Sequence, residues 1–250
     1  MPAPPTIMPT NDRISPSPAP RERDFGTGLY RMLVWLSPGF PVGAFSFSHG
    51  LEATVESGAV RDRASLQHWV HSVMASGSGR IDADILRDAY RATMANDIEA
   101  LVFANQRGVA FRTTAEMAVE TAAQGAAFLN TCRAAWPAPF FDRWAKALDG
   151  GSVCYAAAVG AAMARAGVPL EWALTGYLQA MSSNLVSAGL RLGIIGQTDG
   201  QRILAAIEPV ICAAVAGALT RQPDAFGSST FAVELASMAH ETQYTRLFRS

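Results

Sequence analysis

Apolar residues recur at helical spacing along almost the whole chain, and the alternation of β-branched residues that marks strands is nearly absent. The segment that starts near residue 65, for example, places Leu66, Trp69, Val70 and Val73 on one face of a helix. Clusters of proline, glycine and serine separate such segments from one another. The pattern therefore predicts an all-α fold, a single-domain helical bundle of about ten helices.

The helix starts can be placed from the same pattern. We expect helices to begin near residues 29, 50, 65, 81, 98, 115, 140, 152, 170, 198 and 230. Three of these starts carry the capping pattern in which a polar residue precedes Glu or Gln by three positions, with Asn96, Thr113 and Thr198 as the predicted caps.

The ends of the chain differ from its middle. Residues 1–24 hold half of the 14 prolines and no apolar stretch of the kind that a secretion signal needs, so we expect a disordered, Pro-rich arm. An all-α domain should follow over residues 25–229, with a C-terminal helix and tail over residues 230–250. The most apolar windows, residues 154–167 and 205–219, contain charged residues or proline, and we expect no membrane span.

Composition excludes several classes of function. The net charge of −1 and the absence of a basic run argue against nucleic-acid binding. Lys146 is the only lysine in the chain, and no phosphate-binding loop ending in Gly-Lys-Ser/Thr occurs. The three cysteines are far apart and odd in number, which favours reduced thiols and a cytoplasmic protein.

Two sets of polar residues resemble metal sites without completing one. His68 and His71 lie three residues apart on a predicted helix, but no third ligand is near, and we interpret them as half-exposed side chains. Asp82, Asp84 and Asp88 do not match a known magnesium motif, and a solvated helix face is the better interpretation. No metal, cofactor or catalytic residue is assigned.

The segment 37–52, Ser-Pro-Gly-Phe-Pro-Val-Gly-Ala-Phe-Ser-Phe-Ser-His-Gly-Leu-Glu, is the most unusual in the chain. Ser46, Ser48 and His49 with Glu52 could suggest a hydrolase, but the Gly-x-Ser-x-Gly elbow is missing and a tight structural turn is favoured. Its three phenylalanines either anchor the loop or present a contact patch, and the sequence leaves both open: Phe40, Phe45 and Phe47.

The C-terminal residues mix charge with aromatic surface, as interface anchors do. They include Glu241, Tyr244, Arg246, Phe248 and Arg249. We expect a helix followed by a tail that becomes ordered only against another surface.

Three ordered motifs give the chain a family resemblance. These are the segment 37–52, the segment 187–201 (Ser-Ala-Gly-Leu-Arg-Leu-Gly-Ile-Ile-Gly-Gln-Thr-Asp-Gly-Gln) and the ending His-Glu-Thr-Gln-Tyr-Thr-Arg-Leu-Phe-Arg-Ser. Together they resemble the urease accessory protein UreF family from about residue 29 to residue 250.

The resemblance implies an all-α helper protein, not an enzyme, that acts in nickel delivery to urease in the cytoplasm. Such proteins form a homodimer that binds UreD, also called UreH, recruits the GTPase UreG and docks on the urease apoprotein. Carried over to this chain, the tail that orders on UreD is Arg246, Leu247, Phe248, Arg249 and Ser250, and the matched turn contributes Gln197, Asp199 and Gln201.

The sequence leaves two other functions open. One is a stand-alone helical enzyme that uses Asp84, Asp88 and Glu52 around a cavity, and the other is a dimeric scaffold unrelated to nickel.

Overall fold

The computed structural model describes the backbone of residues 22–249 and the side chains of residues 26–249. Most of the predicted N-terminal arm, residues 1–21, and the last residue of the chain lie outside this range. The first helix begins at Glu22, within three residues of the predicted end of the arm. Helix ends assigned by different criteria differ by about one or two residues, and the predicted domain boundaries stay predictions.

The described residues confirm the all-α fold, with no strand between residues 22 and 249. Short 3₁₀ turns at Ala44–Ser46 and Pro223–Ala225 accompany the α-helices. The α-helices are α1 Glu22–Trp35, α2 Leu51–Glu56, α3 Arg63–Ser76, α4 Ser78–Met94, α5 Ile98–Ala110, α6 Ala115–Ala135, α7 Pro139–Ala147, α8 Tyr155–Arg165, α9 Leu170–Arg191, α10 Gln197–Thr220 and α11 Phe231–Glu241.

Helix α4 lies at the centre of the bundle and packs against α3, α5, α8, α9 and α10. Its closest neighbour is α8, whose buried residues are almost all alanine, glycine or valine. A Cβ atom at Gly160 of α8 would lie 2.4 Å from the carbonyl oxygen of Leu86 on α4. Small side chains therefore let the two helix backbones approach each other closely.

The acidic residues of α4 are not a solvated face, and that interpretation is wrong. Asp84 is buried and accepts a 2.6 Å hydrogen bond from Arg221, and Asp82 is buried against Arg112. Asp88 is partly buried and pairs with Arg87 and Arg107. Helical periodicity cannot reveal this arrangement, because arginines distant in sequence supply the countercharges that permit burial.

The predicted caps of three helices are each displaced. Asp97 and Thr114, rather than Asn96 and Thr113, accept the capping hydrogen bonds of α5 and α6, and α10 begins after Gly196 without a side-chain cap. Asn96 has a φ of 54°. A capping residue requires extended backbone angles, which Asp97 and Thr114 have and Asn96 does not.

Helix α10 is long and apolar enough to cross a membrane, which the sequence interpretation did not expect, and it is the one such helix among residues 22–249. A single helix of this kind is weak evidence for a membrane span, since core helices of soluble proteins share the property. Ile203, Ile207, Ile211 and Val215 are buried, and the helix packs against α3, α4 and α9.

The α4–α8 contact generates a stability prediction. Gly160→Ala should lower the free energy of unfolding by about 1–3 kcal/mol, because the new methyl group overlaps a backbone carbonyl that cannot move freely. Gly26→Ala is the matched control, since a Cβ atom there meets nothing within 4 Å and alanine favours a helix. Chemical denaturation of both variants checks the prediction, and equal stabilities would contradict it.

Candidate functional site

The loop between α1 and α2, residues 36–50, turns sharply and exposes one aromatic ring. Gly43 and Gly50 adopt φ angles of 73° and 74°, which only glycine adopts without strain. Phe40 and Phe47 are buried, and the Phe40 ring packs against Phe128 at 5.2 Å between centroids. Phe45 is 67% exposed. Phe40 and Phe47 therefore anchor the loop, and Phe45 lies at the surface.

The C-terminal end of this loop packs against α11. A Cβ atom at Gly50 would lie 2.7 Å from the backbone nitrogen of Ser237 on α11. Two constraints therefore require glycine at position 50. Its φ angle is positive, and the backbone of α11 leaves no room for a Cβ atom.

His49, just before this glycine, is buried in an internal ion pair. Its Nδ1 atom lies 2.9 Å from the Glu120 carboxylate, and its Nε2 atom lies 2.8 Å from the Ser78 hydroxyl. Burial opposes the charged ring, but the charge and hydrogen bond of Glu120, together with the charge of Asp82, outweigh burial and raise the pKa of His49. The ring is held as the charged partner of Glu120, which makes it a poor general base.

Ser78, His49 and Glu120 are hydrogen-bonded in the order of a hydrolytic triad. A triad would also need room for a substrate beside the serine. Ser78 lines a cavity of about 20 Å³, which is too small for a substrate, whereas His49 and Glu120 line a larger cavity that Ser78 does not reach. We therefore interpret Ser78, His49 and Glu120 as an internal hydrogen-bonded network with a structural role. The set considered from sequence does not form either, since Ser46 donates to Gly43 and Glu52 pairs with His240.

A larger cavity of about 330 Å³ lies between the α1–α2 loop and helices α4, α6, α8 and α9. Apolar side chains such as Phe40, Val42 and Met181 line one part of it. The polar part contains Asp82, which accepts hydrogen bonds from Tyr177 at 2.7 Å and from Arg112. Burial and the Asp82 charge raise the pKa of Tyr177 well above its ordinary value, so its hydroxyl stays protonated.

The acids of the proposed stand-alone enzyme do not converge on this cavity. Asp84 and Asp88 pair with arginines, Glu52 binds His240, and none of the three lines the cavity wall. His68 and His71 are both exposed on α3. Between residues 22 and 249, no group of three or more His, Cys, Asp or Glu side chains is placed to hold a metal ion.

The C-terminal tail, residues 243–249, packs against its own chain. The expectation that it orders only against another molecule is therefore wrong for these residues. The Glu52 carboxylate accepts hydrogen bonds from the backbone N–H groups of Leu247 and Phe248, at 2.6 and 2.9 Å. The Arg249 N–H donates to the carbonyl oxygen of Ser46 at 2.7 Å.

All three sequence motifs meet at this tail. Phe248 is buried, and the guanidinium carbon of Arg191, from the second motif, lies 4.3 Å from its ring centroid. Glu52 of the first motif binds the tail backbone, and His240 of the third motif binds Glu52 at 2.9 Å. The motifs are distant in sequence because they are parts of one structural unit.

The other predicted contact residues divide into internal and exposed groups. Arg246 donates to Glu116 at 3.1 Å, and Glu241 accepts from the Ala115 N–H at the start of α6. Tyr244 is fully exposed and Leu247 is largely exposed.

The turn at the start of α10 makes its polar contacts with α10 and α3. Gln197 and Gln201 are exposed there. Asp199 bonds Arg202 and approaches Arg63 of α3, and no described hydrogen bond of this turn leads to the tail.

Sequence reasoning missed the partners that hold the tail, Glu52, Glu116 and Arg191. One signal was available for His240, which follows Val233, Ala236 and Ser237 at the spacing of the buried face of α11. A histidine at a buried helical position requires a polar partner.

Comparison with known proteins agrees with the three motifs. The family model UreF matches residues 60–208 of the chain. The urease accessory protein UreF of Rhodopseudomonas palustris strain TIE-1 is 46% identical over 97% of this chain and 100% of that protein. The UreF of Bradyrhizobium sp. strain ORS 278 is 49% identical over 89% of this chain and 92% of that protein. The chain belongs to the UreF family of urease accessory proteins.

Proposed function

We propose that the chain is a non-enzymatic adaptor in urease maturation. It binds the accessory protein UreD, also called UreH, and recruits the GTPase UreG to the urease apoprotein for nickel insertion. Nickel is the cargo of this assembly, and the adaptor contributes geometry: it holds the loaded GTPase near the empty site, where released metal is at high effective concentration. Asp84, Glu52 and Glu120 are engaged in internal ion pairs, which supports a non-catalytic role.

The observation that carries the proposal is an exposed apolar surface at the C-terminal end, which we call the α11 surface. Phe231, Leu235 and Met238 are 71%, 48% and 47% exposed on the outer side of α11. In the adjoining tail, Tyr244 and Leu247 are also exposed, and we include them in this surface. Large apolar side chains grouped in this way are typical of protein interfaces, and aromatic residues are common among their energetic centres.

We assign the α11 surface to UreD. In the tail, Arg246 is held by Glu116, and the buried ring of Phe248 packs under the Arg191 guanidinium. Gln197, Asp199 and Gln201 form a second contact region at the start of α10. We leave that region without a named partner.

Self-association rests on a different surface. Tyr30 and Leu33 of α1 are 66% and 62% exposed, and α1 packs beside α9, where Trp172 is also exposed. We propose that this α1–α9 face forms the homodimer. The free thiols of Cys132, Cys154 and Cys212 fit a cytoplasmic location.

Leu235→Glu should weaken UreD binding by about 2 kcal/mol, roughly thirtyfold in dissociation constant, because it places a charge in the centre of the α11 surface. Binding of purified UreD to immobilised protein measures the effect. Phe103→Glu is the matched control, since Phe103 is an equally prominent exposed ring on α5. Equal loss of binding in both variants, or no loss in Leu235→Glu, would contradict the assignment.

Removal of residues 246–250 should also abolish UreD binding. Phe248 is buried in its own chain and the tail backbone binds Glu52, so circular dichroism has to show that helicity persists in the truncated chain. A truncated chain that keeps its helicity and still retains UreD would count against a role for the tail.

Leu33→Glu should convert the homodimer into monomers while leaving helicity unchanged, because it introduces a charge into the α1–α9 face. Light scattering after size-exclusion chromatography gives the mass directly. Phe103→Glu serves again as the control and should remain dimeric. A dimeric Leu33→Glu protein would exclude this face.

A further inference from the structure

The cavity between the α1–α2 loop and helices α4, α6, α8 and α9 has an apolar wall, a polar inner part and an opening to solvent. Its volume of about 330 Å³ lies at the lower end of the range for small-molecule sites. Phe45 of the loop and Gln179 of α9 line it and are exposed, which places the opening between these two elements. Asn184 of α9 also lines the cavity, and its side chain donates to the Phe47 carbonyl oxygen at 3.4 Å.

The charged residues that line the cavity form two internal ion pairs. Asp82 accepts from Arg112, and the Glu120 carboxylate lies 2.9 Å from His49. Tyr177 adds a hydrogen bond to Asp82 at 2.7 Å. Each negative group therefore has its countercharge within the protein. A charged ligand would lose its hydration here without gaining a countercharge, so the cavity favours an uncharged molecule.

The Tyr155 hydroxyl is a donor for which the protein supplies no acceptor. Tyr155 lines the cavity, and its ring packs against Phe128 and Tyr177 with centroid distances of 5.7 and 5.5 Å. Burial, with the charge of Asp82, raises the pKa of Tyr155, so the hydroxyl keeps its proton. Within residues 26–249 this hydroxyl makes no hydrogen bond to another residue. Its proton is therefore available to a ligand.

The side-chain amide of Gln124 supplies an acceptor beside this donor. Its nitrogen donates to the Glu120 carboxylate at 2.9 Å. Because a carboxylate only accepts hydrogen bonds, this contact fixes the orientation of the amide and leaves its carbonyl oxygen to accept from elsewhere. That oxygen has no donor among residues 26–249, and Gln124 lines the cavity. One turn earlier on α6, Thr121 accepts the Tyr155 backbone N–H at 3.2 Å, so donor and acceptor lie on adjoining elements.

The first sequence motif supplies the apolar wall. Pro38, Phe40, Val42 and Phe45 of the α1–α2 loop line the cavity. Gly43 holds a φ of 73° in this loop, and Phe40 is anchored in the core. Because this wall is ordered before a ligand enters, little conformational entropy is lost on binding. The proline and glycine pattern of the loop thus shapes a preformed site.

We propose that this cavity binds a small uncharged amide with an aromatic or apolar body. The ligand carbonyl accepts from the Tyr155 hydroxyl, and a ligand N–H donates to the Gln124 carbonyl oxygen. The body of the ligand lies against Phe40, Val42 and Met181. A primary amide matches both polar groups because it carries an acceptor and donors without a charge. No residue between 231 and 249 lines the cavity, so the site does not rest on the proposed adaptor role.

Benzamide is the probe for this site, and benzoate and benzamidine are its anionic and cationic counterparts of similar shape. Titration of the purified full chain by calorimetry should give a millimolar or tighter dissociation constant for benzamide, as for other small fragments. Both charged counterparts should bind at least roughly tenfold more weakly, because the cavity offers them no countercharge. No binding of benzamide, or similar affinities for all three compounds, would overturn the proposal.

Methionine methyl NMR locates the probe. The methyl resonances of Met117 and Met181, which line the cavity, should shift saturably with benzamide. Met94 and Met238 are exposed outside the cavity and serve as references for non-specific binding. Shifts at the references in place of Met117 and Met181 would place the probe elsewhere and contradict the assignment.

Tyr155→Phe tests the predicted hydrogen bond. It should weaken benzamide binding roughly tenfold without lowering stability to denaturant, because the hydroxyl serves the ligand and no protein group. Tyr90→Phe is the matched control: it removes a hydroxyl that donates to Val168 at 2.8 Å outside the cavity, so it should lower stability and keep the affinity. Unchanged affinity in Tyr155→Phe would overturn the proposal. UreD binding and urease activation enter none of these readouts, so a failure of the adaptor role stays distinguishable from a failure of this site.

Discussion

The carboxylate of Glu52 joins parts of the molecule that are far apart in the sequence. It binds His240 across 188 residues and also accepts the backbone N–H groups of Leu247 and Phe248. Glu52, at the start of α2, therefore connects α11 to the tail, and the hydrogen bond from Arg249 to Ser46 connects the tail to the α1–α2 loop as well. Because the carboxylate is buried, the loss of one of these donors would leave its charge less well compensated.

The helical body makes this arrangement possible by supplying rigid walls. The close approach of α8 to α4, set by Gly160, fixes the centre of the bundle. Buried arginine–aspartate pairs along α4 then tie α5 and the end of α10 to that centre. Such pairs contribute little net stability, but a displaced neighbour would leave a charge unpaired, so they favour one arrangement of helices.

The division between internal and exposed residues explains how one chain end can serve both structure and recognition. Phe248 and His240 face inward and hold the tail, whereas Tyr244 and Leu247 face outward. An adaptor needs this combination, because a surface that is already ordered loses less entropy when its partner docks. Family membership and the exposed apolar residues of α11 thus support the same proposed role in urease maturation.

The sequence by itself determined the all-α class, the positions of most helices and the family, because helical periodicity and the glycine and proline turns are local properties. It also identified the three motifs, but not that they meet. Caps were misplaced by one residue where the backbone angle decided between neighbours, as at Asn96 and Asp97.

Only the tertiary structure decided the partners of the buried charges. Asp84 was interpreted as solvated and is buried beside Arg221, and the tail was expected to await another molecule and instead packs on Glu52. The physical reason is the same in both cases. A charged side chain can be buried when a countercharge reaches it, and which countercharge reaches it depends on how the helices pack rather than on neighbouring residues in the sequence.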